Sequence, residues 1–146
     1  LVNAIFRHGQ RTPVDTYPKD PYVNFDFPPY GRGQLTDEGK RAQYKQGQFL
    51  RKRYGDFIGR QYSTDILWVQ TTDVDRTKMS ALLEASGLFP PEGHDHRGME
   101  PDCQPVPIHY EPLNQDKLLL VRVPCPRYFE AHDEVMASPA MTKYNE

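Results

Sequence analysis

Leu1-Val2-Asn3-Ala4-Ile5-Phe6-Arg7-His8-Gly9-Gln10-Arg11-Thr12-Pro13 sets an apolar run directly against a cluster of arginine, histidine and glycine. The first six residues are short, apolar and broken only by Asn3, the pattern of a buried strand. Arg7 to Thr16 then reads as a loop, with Pro13 suited to open a helical turn. A strand that ends in a charged loop is where open α/β sheets bind ligands.

Working outward, Tyr17 to Arg32 is rich in proline and aromatic residues and reads as an ordered irregular loop. Thr36 suits an N-cap, and Asp37 and Glu38 follow where the helix dipole favours acids. That helix is expected to reach about Tyr54, with Ala42, Phe49 and Leu50 on one face and Gly55 as its stop. Arg51, Lys52 and Arg53 would fill its last turn. Asp65 to Gln70 is a second expected strand. A second helix starts near Asp73 or Asp75, buries Met79, Leu82, Leu83 and Ser86, and ends at Gly87. Leu118 to Val123 is a third expected strand, and Arg127 to Ala137 a last helix. The alternation is that of an α/β fold without a domain boundary.

The two expected strand ends carry Arg7, His8 and Arg11 on one side and Arg76 on the other. A phosphate monoester dianion repels a nucleophile, and bidentate guanidinium groups neutralise and orient it. Three arginines at adjacent strand ends would form such a clamp, aided by the helix N-terminus behind Arg76. A neutral imidazole between them is a competent nucleophile for phosphorus. Gly9 would remove a Cβ where substrate approaches. Against this, a histidine between two arginines is by composition an ordinary solvated cluster. Its place directly after an apolar strand and before Thr-Pro favours a site. Arg76 alone would equally be a helix-start charge paired with Asp73 or Asp75.

Arg7 to Pro13 matches the RHGxRxP signature and so resembles the histidine acid phosphatase family. The resemblance extends over Leu35 to Gly39, Gln46 to Arg51, Thr72 to Thr77, Ser80-Ala81, Gly87 to Pro91, Pro105 to His109 and Cys125-Pro126-Arg127. It is greatest to the animal prostatic and lysosomal type, insect relatives included. It implies a phosphoglycerate mutase-like sheet with flanking helices. Residues 1–146 would form an incomplete domain, cut before the C-terminal strands and most of the helical cap. It implies His8 as the phosphorylated nucleophile, Arg7, Arg11 and Arg76 as phosphate ligands, no metal or cofactor, and a secreted or lysosomal protein. The substrate would be a small-molecule or protein phosphate monoester, and a homodimer is an expectation for the longer protein.

The resemblance places Cys125 where the family has a cysteine bridged to a distant C-terminal partner, whereas Cys103 has no counterpart. The family's general acid is the aspartate of a late His-Asp pair that follows an apolar strand. His132-Asp133 follows Glu130-Ala131 instead and reads as an exposed helical pair. The general acid is therefore expected beyond Glu146. The mutase-like branch shares the Arg-His-Gly start, but the match from Asp73 to Pro91 favours the phosphatase branch. The alternative of another class is a catalytically inactive secreted binding protein on a phosphatase scaffold.

The 146 residues carry 18 basic and 20 acidic side chains, a net charge of −2 that gives no reason to expect a nucleic-acid partner. Aromatic residues make up 12%, which argues against disorder. No apolar stretch approaches the roughly 20 residues of a membrane span. His94-Asp95-His96 lies in a Gly- and Pro-bounded loop and reads as solvated.

Overall fold

The computed structural model describes residues 1–90, 104–120 and 124–142. The chain divides into two compact units, Leu1–Pro112 and Leu113–Glu146. His94-Asp95-His96, Cys103 and Val121 to Val123 lie outside the described residues.

The first unit is a mixed α/β arrangement in the order α1 (Asp37–Ile58), β1 (Val69–Thr72), α2 (Asp75–Leu88) and β2 (Ile108–Glu111). β1 and β2 pair in parallel with Val69 opposite Ile108 and Thr72 opposite Glu111. Helix α2 packs against α1 and against both strands. Its buried apolar residues Ala81 and Ala85, and Phe89 just after its end, form the core with Leu35 and Val106.

Thr36 caps α1 as expected: its hydroxyl accepts the Gly39 N–H at 3.1 Å. The expected stop at Gly55 is overturned. A Cβ there would meet only the Arg51 side chain, so nothing at that position ends the helix. The helix ends at Gly59, whose φ of 77° lies in the left-handed region and whose N–H returns to the Gly55 carbonyl. The expected face is also corrected, since Ala42 and Phe49 are exposed. The buried stripe is Gly39, Gln43 and Gly47. On α2 the buried set is Ser80, Ala81, Glu84, Ala85 and Gly87, and Leu82 is exposed.

Glycine explains both shifts. A Cβ on Gly47 would sit 2.0 Å from the Glu84 carbonyl oxygen, and one on Gly87 2.2 Å from that of Tyr44. The two helices therefore meet backbone to backbone, closer than an apolar stripe would allow. Gly87 is a packing residue inside α2, not its terminator.

Leu1 to Phe6 forms no strand, and Ile5 is 92% exposed. A strand exists only where a neighbour meets its N–H and C=O groups. β1 and β2 meet each other, and no described segment pairs with residues 1–6. The second expected strand starts late, at Val69, because Ser63 folds the preceding residues into a turn. Its carbonyl accepts the N–H of Ile66 and of Leu67, and its hydroxyl that of Asp65. β2 was not among the expected strands; it follows directly after Pro107.

In the second unit, Leu118 to Leu120 form turns in place of the expected strand. The Asp116 carboxylate accepts the N–H groups of Leu118 and Leu119 at 3.0 and 2.8 Å, removing the donors a strand ladder would use. Helix α3 (Pro126–Met136) agrees with expectation, and a short α4 (Pro139–Thr142) follows.

Candidate functional site

Arg7, His8, Gly9, Gln10 and Arg11 line an open pocket of about 310 Å³. The loop that forms it is tied down on both sides. Arg11 bridges to Leu35, the Thr12 N–H donates to the Gln34 carbonyl at 3.0 Å, and the Thr36 N–H donates to the Gln10 carbonyl at 3.0 Å. The Thr36 hydroxyl that caps α1 also lies 3.0 Å from Gln10 Oε1. One residue thus starts the helix and holds the loop.

His8 is half-buried, and its Nδ1 lies 2.8 Å from the Gly9 carbonyl oxygen. A carbonyl can only accept, so Nδ1 carries the hydrogen. In the neutral ring the lone pair is then on Nε2, the nitrogen left for attack.

Gly9 has a different reason from the one its sequence position suggested. It is buried, and a Cβ there would sit 2.6 Å from the Gly39 carbonyl oxygen. A Cβ on Gly39 would in turn meet the Gln10 carbonyl oxygen at 2.2 Å. The pair of glycines lets the signature loop lie directly on the first turn of α1.

Arg76 is the second residue of α2 and joins the same cluster. Burial, then the charges of Arg11 and Arg7, hold its guanidinium below the usual arginine range. No carboxylate among the described residues pairs with it. Asp73, one of the two expected partners, is taken by Lys78. The Nε atoms of Arg11 and Arg76 are both buried without a hydrogen-bond partner. Three like charges gathered without a carboxylate partner among the described residues suit the cluster to an anion.

The structure therefore brings together all four expected residues, Arg7, His8, Arg11 and Arg76. Two further residues hold them, and neither had been assigned a role. Gln43 of α1 donates from Nε2 to the Arg7 carbonyl at 3.3 Å, and Ser80 of α2 accepts the Gly9 N–H at 3.1 Å. Their signal in the sequence is a polar residue at helical spacing from the packing glycines, where an apolar one would be expected. His132 and Asp133 form an exposed pair on α3, Nδ1 to Oδ1 3.2 Å. Among the described residues no group of three His, Cys, Asp or Glu side chains could hold a metal ion. No described helix is long and apolar enough to cross a membrane.

The chain is 43% identical over 140 residues to human lysosomal acid phosphatase, covering 95% of the chain and 33% of that protein. It is 40% identical over 144 residues to bovine prostatic acid phosphatase and 41% to the human one, covering 98% of the chain and 37% of each relative. The chain thus spans about a third of the length of these curated relatives. The sequence model of the histidine phosphatase superfamily (branch 2) matches residues 1–146, and the chain belongs to that family.

Proposed function

We propose that the chain is part of an acid phosphatase that hydrolyses phosphate monoesters through a phosphohistidine intermediate. His8 Nε2 attacks phosphorus while Arg7, Arg11 and Arg76 bind the phosphoryl oxygens. The P–O bond to the alcohol breaks, and the alcohol leaves with a proton from a general acid. Water then attacks the phosphohistidine, releasing inorganic phosphate and free His8. None of the five residues lining the pocket carries a carboxyl group, so the acid comes from elsewhere.

The observation that carries this reading is an arginine cluster, with no carboxylate partner among the described residues, around a histidine whose Nδ1 is already bonded. The names of the relatives support acid phosphatase activity and, for one group of them, a lysosomal location; a secreted location is the alternative. Residues 1–146 then belong to one larger catalytic domain, and the substrate is a small-molecule or protein phosphate monoester. No feature of the pocket favours an inactive scaffold.

The test is His8→Ala in the full-length protein. Hydrolysis of p-nitrophenyl phosphate at acidic pH is expected to disappear, together with the acid-labile phosphoenzyme trapped by rapid quenching. Turnover retained in that variant would refute the assignment of His8.

A further inference from the structure

Ser80 is a buried hydroxyl beside the pocket with both of its hydrogen-bonding roles used. It is 1% exposed. Its hydroxyl accepts the buried Gly9 N–H at 3.1 Å and donates to the Arg76 carbonyl at 2.7 Å. A hydroxyl can do both at once, and no other common side chain of that size does so as well. One bond reaches the residue directly after His8. The other reaches the backbone of the arginine that completes the cluster. The two residues of this contact, Gly9 and Ser80, lie 71 positions apart in sequence.

We infer that Ser80 is a positioning residue that locks the nucleophile loop to the turn of α2 bearing Arg76. This rests on the reading of His8 as nucleophile and Arg76 as phosphate ligand, and adds what keeps them in register. Arg76 lies beside the like charges of Arg11 and Arg7, and no carboxylate among the described residues pairs with it. Its backbone must therefore be fixed from behind. The Gly9 N–H faces the same need, because Gly39 closes one side of Gly9 and leaves Ser80 as its acceptor. Gln43 fixes the carbonyl on the other side of His8, so the nucleophile sits between two side-chain anchors from two helices. Removing the Ser80 hydroxyl leaves a buried N–H without a partner and frees the loop to shift. A displacement near 1 Å of a reacting group costs about 100-fold in rate.

The experiment uses Ser80→Ala and Ser80→Cys in the full-length protein, with His8→Ala in parallel. Cysteine is only slightly larger than serine and replaces a strong acceptor by a weak one, so it decides the matter if the alanine variant does not fold. The readouts are kcat and KM for p-nitrophenyl phosphate, competitive inhibition by inorganic phosphate, and the thermal midpoint. For Ser80→Ala, kcat is expected to fall up to about 100-fold and phosphate inhibition to weaken about tenfold. The cysteine variant should fall between alanine and the parent. A purely structural serine would lower the thermal midpoint while leaving kcat and phosphate inhibition within about twofold, and that result overturns the inference. If His8→Ala still turns over, the underlying reading is what has failed. If His8→Ala is inactive while both Ser80 variants behave as the parent, only the role of Ser80 has failed.

Discussion

Arg76 and Arg127 each occupy the second position of their helix, and their fates are opposite. Arg127 Nη1 lies 3.3 Å from Glu130 and 3.2 Å from Glu134, both further along α3, and its side chain is 69% exposed. Its charge is neutralised within its own helix and in water. Arg76 faces Arg11 and Arg7, has its Nε buried without a partner, and sees the nearby Asp73 bound to Lys78. Position in a helix does not distinguish a surface charge from a ligand-binding one. The distinction is whether the counter-ion is supplied by the protein or left to the ligand.

The largest expected effect breaks or upholds that contrast directly. In the full-length protein, Arg76→Ala should lower kcat/KM for p-nitrophenyl phosphate about 100- to 1,000-fold, as losing one charge-stabilising donor does. Arg127→Ala should leave kcat/KM within about twofold, since exposed ion pairs contribute about 0–1 kcal/mol. Steady-state kinetics on both variants checks this. Equal effects would mean that the carboxylate-free cluster is not what binds substrate.

The second effect tests what carries Arg76. Five residues of α2 are buried and none of α3 is. Gly87→Ala would place a methyl group 2.2 Å from the Tyr44 carbonyl oxygen, a backbone atom that cannot swing aside. The loss of stability should exceed about 3 kcal/mol, the upper part of the range for overpacking. Val135→Ala on α3, a residue 57% exposed, should stay within about 0.5 kcal/mol. Urea titration compares the two. A tolerant Gly87 would mean that the helices can separate without loss.

These contrasts also explain what the sequence could reveal. The four cluster residues were legible because their chemistry is local: Arg7, His8 and Arg11 are close neighbours, and Arg76 follows the expected strand. Helix α3 was legible from its own pattern. The stripe on α1 was not, because two helices in backbone contact bury glycine and glutamine, and periodicity rules look for leucine and phenylalanine. Gly55 and Gly87 look like helix stops in isolation. Only the neighbour across the contact shows that one is solvent-tolerant and the other a packing surface. Leu1 to Phe6 failed for a related reason, since a strand is a property of a pair and half of the information lies in the partner.

The smallest of the three effects concerns two carboxylates that repeat the same contrast. Glu134 is exposed and bound to Arg127, whereas Glu84 is 4% exposed and its Oε2 is buried without a partner. Burial alone pushes the Glu84 carboxyl from 4.5 up to about 7. Below 4.5 the folded and unfolded chains both hold the proton, and the side chain carries no charge into the helix contact. Between 4.5 and about 7 the unfolded chain ionises while the folded one stays neutral, so stability falls as pH rises. Above about 7 the full penalty applies, on the order of 3 kcal/mol at most. Glu84→Gln keeps the shape and removes the ionisation. Its urea midpoint should therefore gain on the parent as the solution is taken from about pH 5 to about pH 8, while Glu134→Gln should track the parent throughout. If Glu84→Gln and the parent lose stability in parallel, Glu84 meets a proton donor or a cation in the folded protein and its carboxylate is not isolated. The predicted direction favours the protein at acidic pH, where the proposed phosphatase would work, and it arises from a helix contact outside the arginine cluster.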